Sequence, residues 1–311
     1  MKPHVVITER LDDACAAWLG ERAEVVWHAF DAPGIDAALA DADGLVVRTY
    51  TRVDDAWLDR CPKVRVIGRA GVGLDNFDLS ACARRGIRVV YTPDANTQAV
   101  VEYVTGLMLD RYRPRPVLPE AASADAFHRM RTTAVGTELA GLTLGVIGYG
   151  RIGRRITAVA EALGMRVLCC DIDPVDPLDP ARRLVDHDTV YAESDIVTLH
   201  ADGRAANRHM IDASVFAAMK PDAMFINAAR GVLVDAEACA AWLERRPDAL
   251  AVLDVHDPEP PPADLRLWHL PNCRLHAHLA SRTETALRNM SWVVRDVWAV
   301  LAGHEPNFPA A

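Results

Sequence analysis

No run of eighteen apolar residues occurs in this chain of 311 residues, so no membrane-spanning helix is expected. Met1-Lys2-Pro3-His4 leads straight into a strand-like run, and no secretory leader is expected. Basic residues are in deficit. Lys and Arg number 34 against 43 Asp and Glu, a formal charge of −9, and this removes the electrostatic case for nucleic acid or a membrane surface as partner. Cysteine is sparse and unpaired in pattern: Cys15, Cys61, Cys82, Cys169, Cys170, Cys239 and Cys273 form no C-x-x-C. No metal site follows from them, and an odd, scattered set suits free thiols in a reducing cytoplasm.

Half of the residues are apolar and a quarter charged, the balance of soluble globular domains, and the length favours two of them. The chain is organised around Leu142 to Asp171. An apolar run, Leu142 to Ile147, enters the turn Gly148-Tyr149-Gly150-Arg151-Ile152-Gly153. A helix-like segment follows with Ile152, Ile156, Val159, Ala160 and Leu163 on one face, then a second strand, Arg166 to Cys170, ending on Asp171. G-x-G-x-x-G inside such a βαβ unit is the mark of a dinucleotide site. Gly148 permits the turn, Gly150 opens the backbone to a pyrophosphate, and Gly153 lets the helix lie close to the strand. The helix N-terminus offers N–H groups and partial positive charge to phosphate. Asp171 stands eighteen residues after Gly153, where a carboxylate can take the ribose diol. It opposes a 2′-phosphate, and no Lys or Arg follows closely. The cofactor is therefore read as NAD.

The first hundred residues alternate strands (4–8, 23–27, 44–48, 64–69, 87–91) with helix-like stretches, the pattern of a parallel sheet covered on both faces. Its loops carry Arg48-Thr49 and the glycine-rich Gly71-Val72-Gly73, whose N–H groups can hold a carboxylate. The helix after Thr97 is apolar all round, as befits a buried connector. From Asp110 the helical pattern is expected to fail, since proline breaks a helix, and Arg111-Tyr112-Arg113-Pro114-Arg115-Pro116 on to Glu138 is expected to form an extended arm or loop. Further strands are expected at 196–200, 223–227, 250–255 and 273–279, and one last helix at 282–301. Three ionisable residues then fall in loops at strand carboxyl ends: Arg230, Glu259 and His278. Hydride transfer to a carbonyl needs a cation to polarise it and a proton source. Arg offers a two-pronged grip, His is the acid/base of neutral pH, and Glu beside His orients the ring. Pattern alone does not separate these three from ordinary loop residues.

The segments Val66-Ile67-Gly68-Arg69-Ala70-Gly71-Val72-Gly73-Leu74-Asp75-Asn76, Gly136-Thr137-Glu138-Leu139, Ile226-Asn227-Ala228-Ala229-Arg230-Gly231, Leu253-Asp254-Val255 to Glu259-Pro260 and His278-Leu279-Ala280 resemble the D-isomer-specific 2-hydroxyacid dehydrogenases, in particular their 3-phosphoglycerate dehydrogenase-like branch. The resemblance implies an α/β fold of two doubly wound parallel-sheet domains, a Rossmann-type NAD domain (98–282) and a discontinuous, flavodoxin-like substrate domain (1–97 and 283–311), with a cleft between them. It implies NAD-dependent interconversion of a small anionic D-2-hydroxy acid and its 2-oxo acid. Arg230 would bind and polarise the substrate, His278 would shuttle the proton, and Glu259 would hold His278. Tyr149, Arg151, Ile152, His200, Ala228 and Asp254 would join the glycines, Asp171 and Arg230 around the cofactor. Arg48, Thr49, Gly71, Val72, Gly73 and Asn96 would meet the substrate with Arg230 and His278, and a phosphorylated or phosphonate substrate fits that set. A cytoplasmic homodimer through the 114–140 arm is also implied. The alternatives are a non-catalytic NAD(H)-sensing scaffold of the corepressor kind and a formate- or phosphite-type dehydrogenase. Three departures stand out: Ala277 replaces the family's usual Pro, His276 lies two residues before His278 as a rival, and Ala201-Asp202-Gly203 replaces an apolar, Pro-containing segment.

Overall fold

Apolar β-branched runs determine two separate sheets. A computed structural model of the chain describes residues 2–172 and 184–310. It divides into one unit of Met1–Asn96 with Ser281–Ala311 and a second of Thr97–Ala280.

In the first unit the strands are β1 (His4–Ile7), β2 (Glu24–Trp27), β3 (Gly44–Val47), β4 (Val66–Arg69) and β5 (Arg88–Tyr91). They run in the order β2-β1-β3-β4-β5, all parallel, which is the flavodoxin-like order. Side chains alternate between two cores. Val6, Leu45, Val47, Ile67 and Val89 face Leu39, Trp57, Leu58 and Cys82. Val5, Ile7, Val46, Val66 and Val90 face Val293, Val294 and Val297 near the end of the chain. Continuous apolar strands are what a sheet covered on both faces demands. The tail is tied down as well: the buried Asp296 carboxylate accepts the N–H groups of Asn307 and Phe308 and the Asn307 side-chain amide.

The second unit holds β6 (Thr143–Ile147), β7 (Arg166–Cys170), β8 (Ile196–Leu199), β9 (Met224–Asn227), β10 (Leu250–Leu253) and β11 (Cys273–Leu275). Their order is β11-β10-β9-β8-β6-β7, again all parallel. The progression reverses between β6 and β8, the point where doubly wound sheets take their ligands at the strand carboxyl ends. One face buries Ile147, Leu199, Phe225 and Leu253. The other buries Val146, Ile196, Ile226 and Val252 against Val100, Val104 and Met108 of the helix Thr97–Tyr112.

Three expectations need correction. The arm starts later and is not wholly extended. The helix Thr97–Tyr112 carries on through Arg111 and Tyr112 and stops before Pro114. Ala124–Thr133 is a helix too, capped by Ser123 Oγ, which accepts the Ala126 N–H at 3.2 Å. None of its side chains is buried, so no apolar stripe announced it. The last helix is two, Glu284–Ser291 and Val294–Leu301. The first of these begins at a Thr283 cap, whose Oγ1 accepts the Ala286 N–H. The final strand ends at Leu275 rather than residue 279, because His278 takes a left-handed backbone, φ 55°, which no strand accommodates.

Candidate active site

At the carboxyl end of β6, Gly148 turns with φ +94°, and a Cβ there would stand 2.7 Å from the His200 carbonyl group. Only glycine takes that turn without strain. A Cβ on Gly153 would overlap the Gly148 carbonyl oxygen, so the helix Arg151–Ala162 can start this close to the strand only with glycine there. Gly150 caps that helix without any side-chain bond, and a Cβ on it would meet open space. Arg154 Nε donates to the Tyr149 carbonyl at 3.1 Å, and its guanidinium lies 5.3 Å from the Tyr149 ring centre. Asp171 follows β7 and folds back on the turn: its carboxylate accepts the Tyr149 N–H at 2.5 Å and the Ile172 N–H at 2.7 Å. The stretch after Asp171 runs into residues 173–183, which lie outside the described residues. His200 follows β8 with its Nδ1 buried and without a hydrogen-bond partner. Burial lowers its pKa to about 4, so the ring is neutral near pH 7.

Two loops over, Arg230 follows β9. Asn227 shapes this loop: its Nδ2 donates to the Arg230 carbonyl at 2.8 Å and its Oδ1 accepts the Ala229 N–H at 3.0 Å. Arg230 Nη1 donates to the Ala229 carbonyl at 2.7 Å. Gly231 lies so close to the His256 carbonyl group that a Cβ would overlap it, which packs the Arg230 loop on the loop carrying Glu259. There, Glu259 Oε2 stands 3.0 Å from His278 Nδ1, and Oε1 accepts the His256 N–H at 3.0 Å. A carboxylate only accepts, so Nδ1 of His278 carries the proton and Nε2 is left for chemistry. Burial raises the Glu259 pKa, and the bonds from His278 and the His256 N–H outweigh it, leaving a net lowering. The contact therefore adds stability above the ordinary carboxyl range, and that stability is lost as pH falls through the lower folded-state value. Asp254, 1% exposed, secures the histidine segment. Its carbonyl accepts the His278 N–H at 2.7 Å, and its carboxylate accepts the N–H groups of Leu279 at 2.7 Å and Ala280 at 2.8 Å. His276, the rival, is turned to Tyr103 instead. Ala228 lies half-buried between Asn227 and Arg230.

In the first unit the residues expected around a substrate divide. Gly71 gives no donor, since its N–H goes to the Arg69 carbonyl at 2.8 Å. Arg69, buried, braces the turn by donating from Nε to the Gly73 carbonyl and from Nη1 to the Ala70 carbonyl, each at 2.9 Å. Val72 and Gly73 thus carry the turn's remaining N–H groups. The main-chain N–H groups of Arg48 and Thr49 are taken by the Glu9 carboxylate, which also accepts those of Tyr50 and Thr51. Arg48 Nη1 donates to the Arg10 carbonyl at 3.0 Å. Burial lowers the Arg48 pKa and the positive charge of Arg282 adds to that, so two guanidinium groups share one neighbourhood. Asn96 keeps a buried Oδ1 without a hydrogen-bond partner.

The model of the D-isomer specific 2-hydroxyacid dehydrogenase NAD binding domain matches residues 105–280. The chain belongs to the D-isomer specific 2-hydroxyacid dehydrogenase family. It is 36% identical over 304 residues to an (S)-sulfolactate dehydrogenase of Chromohalobacter salexigens, covering 94% of this chain and 96% of that one. It is 35% identical over 309 residues to a D-3-phosphoglycerate dehydrogenase of Mycobacterium leprae, covering 97% of this chain but 57% of that one. The crystal structure of the TT0316 protein from Thermus thermophilus superimposes with a TM-score of 0.85 at 32% identity, over 99% of each chain.

NAD is the cofactor of this dehydrogenase family's domain, and the described residues fit it. The uncapped helix start, the open space at Gly150 and the Asp171 carboxylate after β7 supply a phosphate seat and a diol acceptor in the right sequence. Several structural residues escaped the sequence reading. Arg69 lay inside a recognised segment but looked like any strand-end arginine. Tyr103 was hidden in an apolar helix, although a half-buried tyrosine there needs a partner for its hydroxyl. Glu9 and His256 had no sequence signal, because their partners are distant in the chain or are main-chain groups. Among the described residues no cluster of His, Cys, Asp and Glu could hold a metal ion, and no helix is long and apolar enough to cross a membrane.

Proposed function

We propose that the chain interconverts a D-2-hydroxy acid and its 2-oxo acid, with Arg230, Glu259 and His278 as the catalytic set. The observation that carries this reading is the 3.0 Å His278 Nδ1–Glu259 Oε2 contact in loops at the carboxyl edge of the NAD-binding sheet. Bound NAD supplies the two-electron hydride chemistry. In reduction of the oxo acid, protonated His278 gives its Nε2 proton to the carbonyl oxygen that becomes the hydroxyl. In oxidation the neutral ring takes it back. Glu259 fixes the tautomer and balances the charge that His278 carries in one half of the cycle. Arg230 holds the substrate and polarises its carbonyl. The turn of residues 148–153 would seat the pyrophosphate. Gly148 and Tyr149 shape it, since their own N–H groups go to the Cys170 carbonyl and the Asp171 carboxylate, and Gly150, Arg151, Ile152 and Gly153 would face the phosphates. Asp171 would take the ribose, and His200 and Ala228 the rest of the cofactor. Asp254, buried and bonded to Tyr103, Leu279 and Ala280, supports the site from behind rather than touching the cofactor. The unit of Met1–Asn96 with Ser281–Ala311 is the substrate domain, and that of Thr97–Ala280 the NAD domain, within two residues of the bounds 97/98 and 282/283 expected from the sequence. Val72 and Gly73 offer N–H groups to the substrate carboxylate.

Arg48, with Arg282 beside it, supports a substrate with a second strong anion such as a phosphate, phosphonate or sulfonate. Thr49 and Asn96 line that end. The test is NADH and NADPH oxidation over a panel of 2-oxo acids with and without such a group. Turnover with NADH, highest for the doubly anionic members, is expected. No turnover with any member, beside tight NADH binding, overturns the enzymatic reading.

The exposed helix Ala124–Thr133, with Phe127 44% exposed and Val117 87% exposed in the same arm, supports a homodimer through residues 114–140. Light scattering is expected to give twice the chain mass, and Phe127→Asp to shift it toward the monomer. A dimer indifferent to that change would remove the arm from the interface. All seven cysteines are free thiols, which suits the cytoplasm, and cell fractionation checks it.

A further inference from the structure

Two histidines outside the catalytic set join the His278–Glu259 pair in one ring of residues, each tied to the next by a hydrogen bond from its side chain or its main chain. Starting at Asp254, Oδ1 accepts the Tyr103 hydroxyl at 3.0 Å. The Tyr103 oxygen also meets His276 Nδ1 in a short hydrogen bond. The His276 carbonyl accepts from His256 Nε2 at 2.7 Å. The His256 N–H donates to Glu259 Oε1 at 3.0 Å, and Glu259 Oε2 takes His278 Nδ1 at 3.0 Å. His278 then closes the ring, its N–H donating to the Asp254 carbonyl at 2.7 Å.

We infer that Tyr103, His256 and His276 are positioning residues for the His278–Glu259 pair. The inference rests on reading His278 as the proton carrier. Its physical content is the direction of each bond. Asp254 Oδ1 accepts the Leu279 N–H and the Tyr103 hydroxyl, and Oδ2 the Ala280 N–H, so Tyr103 spends its single proton there. The Tyr103 oxygen is then an acceptor toward His276, which fixes the proton of His276 on Nδ1. A carbonyl only accepts, so the proton of His256 sits on Nε2. The three rings therefore hold set tautomers: Nδ1–H in His276 and His278, Nε2–H in His256. This order is needed because His278 sits at φ 55°, a backbone state that costs a non-glycine residue free energy and persists only when its surroundings impose it. Asp254 fastens the segment from one side. His256 and His276 fasten the other, where Ala277 leaves the chain free of proline's restraint on φ.

Substitution and nitrogen NMR of the full chain test this together. In an amide, the nitrogen of Asn stands near Nδ1 of histidine, and that of Gln near Nε2. His276→Asn and His256→Gln are therefore expected to keep turnover, while His276→Val, His256→Leu and Tyr103→Phe each lose about tenfold in kcat with unchanged NADH affinity. Imidazole nitrogen spectra of the parent, read without substrate or cofactor, are expected to give the three tautomers above, and Tyr103→Phe to abolish the single tautomer at His276. Equal turnover in the Asn and Val variants, or the opposite tautomer at His276 or His256, overturns the inference. His278→Asn separates the two readings. If it retains turnover, the proton-carrier assignment fails. If it is inactive while the ring variants match the parent, the positioning role alone fails.

Discussion

Arg230→Lys is expected to lower kcat/KM for the 2-oxo acid by about 100- to 1000-fold, the usual consequence of removing a preorganised donor from a developing oxyanion. The charge survives the change, so the loss would report geometry. A guanidinium presents a rigid fork, and an ammonium presents one compact charge on a flexible stem. The surrounding loop is not expected to collapse, because the Asn227 side chain holds it through main-chain groups at residues 229 and 230. NADH affinity, read by fluorescence titration, should accordingly stay at the parent value. Steady-state kinetics then place the loss. A fall in kcat and kcat/KM together marks an interaction made in the transition state, whereas a rise in KM alone marks simple carboxylate binding. Turnover near that of the parent would remove Arg230 from the polarising role.

Why part of this site was legible in the sequence and part was not follows from the range of the interactions. Both sheets could be read because fully buried parallel strands are short, unbroken apolar runs, and HVVI, GLVV and TLGVI are such runs. The turn at Gly148 could be read because its chemistry lies within six consecutive residues. The helix Ala124–Thr133 could not. It buries no side chain, and a helix held by its Ser123 cap and local bonds has no periodic apolar face to show. The last strand was expected to reach residue 279 for the same kind of reason. Apolar and histidine residues in 276–280 look extended until the Asp254 carboxylate, 25 residues before Leu279 in the chain, draws their N–H groups inward. The roles of Glu9 and Arg69 were hidden because each acts on main-chain groups. Glu9 gathers the N–H groups of residues 48–51, and no pattern of side chains along the sequence records such a partner.

Gly231→Ala should be as damaging as the loss of a catalytic side chain, although a methyl group is all it adds. The new Cβ would overlap the His256 carbonyl group and approach the Asp257 nitrogen at 2.5 Å. These are main-chain atoms, so no side chain can swing aside. Either the Arg230 loop or the His256–Glu259 loop must shift. A displacement of the order of 1 Å between reacting groups costs about 100-fold in rate, and that loss in kcat is expected here. Overpacking of this kind costs about 1–3 kcal/mol of stability, which thermal unfolding will read as a lowered midpoint. The two effects are separable in principle, because the glycine turn at 148–153 lies on other strands and NADH binding should persist in the folded variant. An alanine variant with parent kcat would mean that the two loops are free to part without consequence. In that case the close contact at Gly231 would be incidental to catalysis, and the positions of Arg230 and Glu259 would have to be set independently of each other.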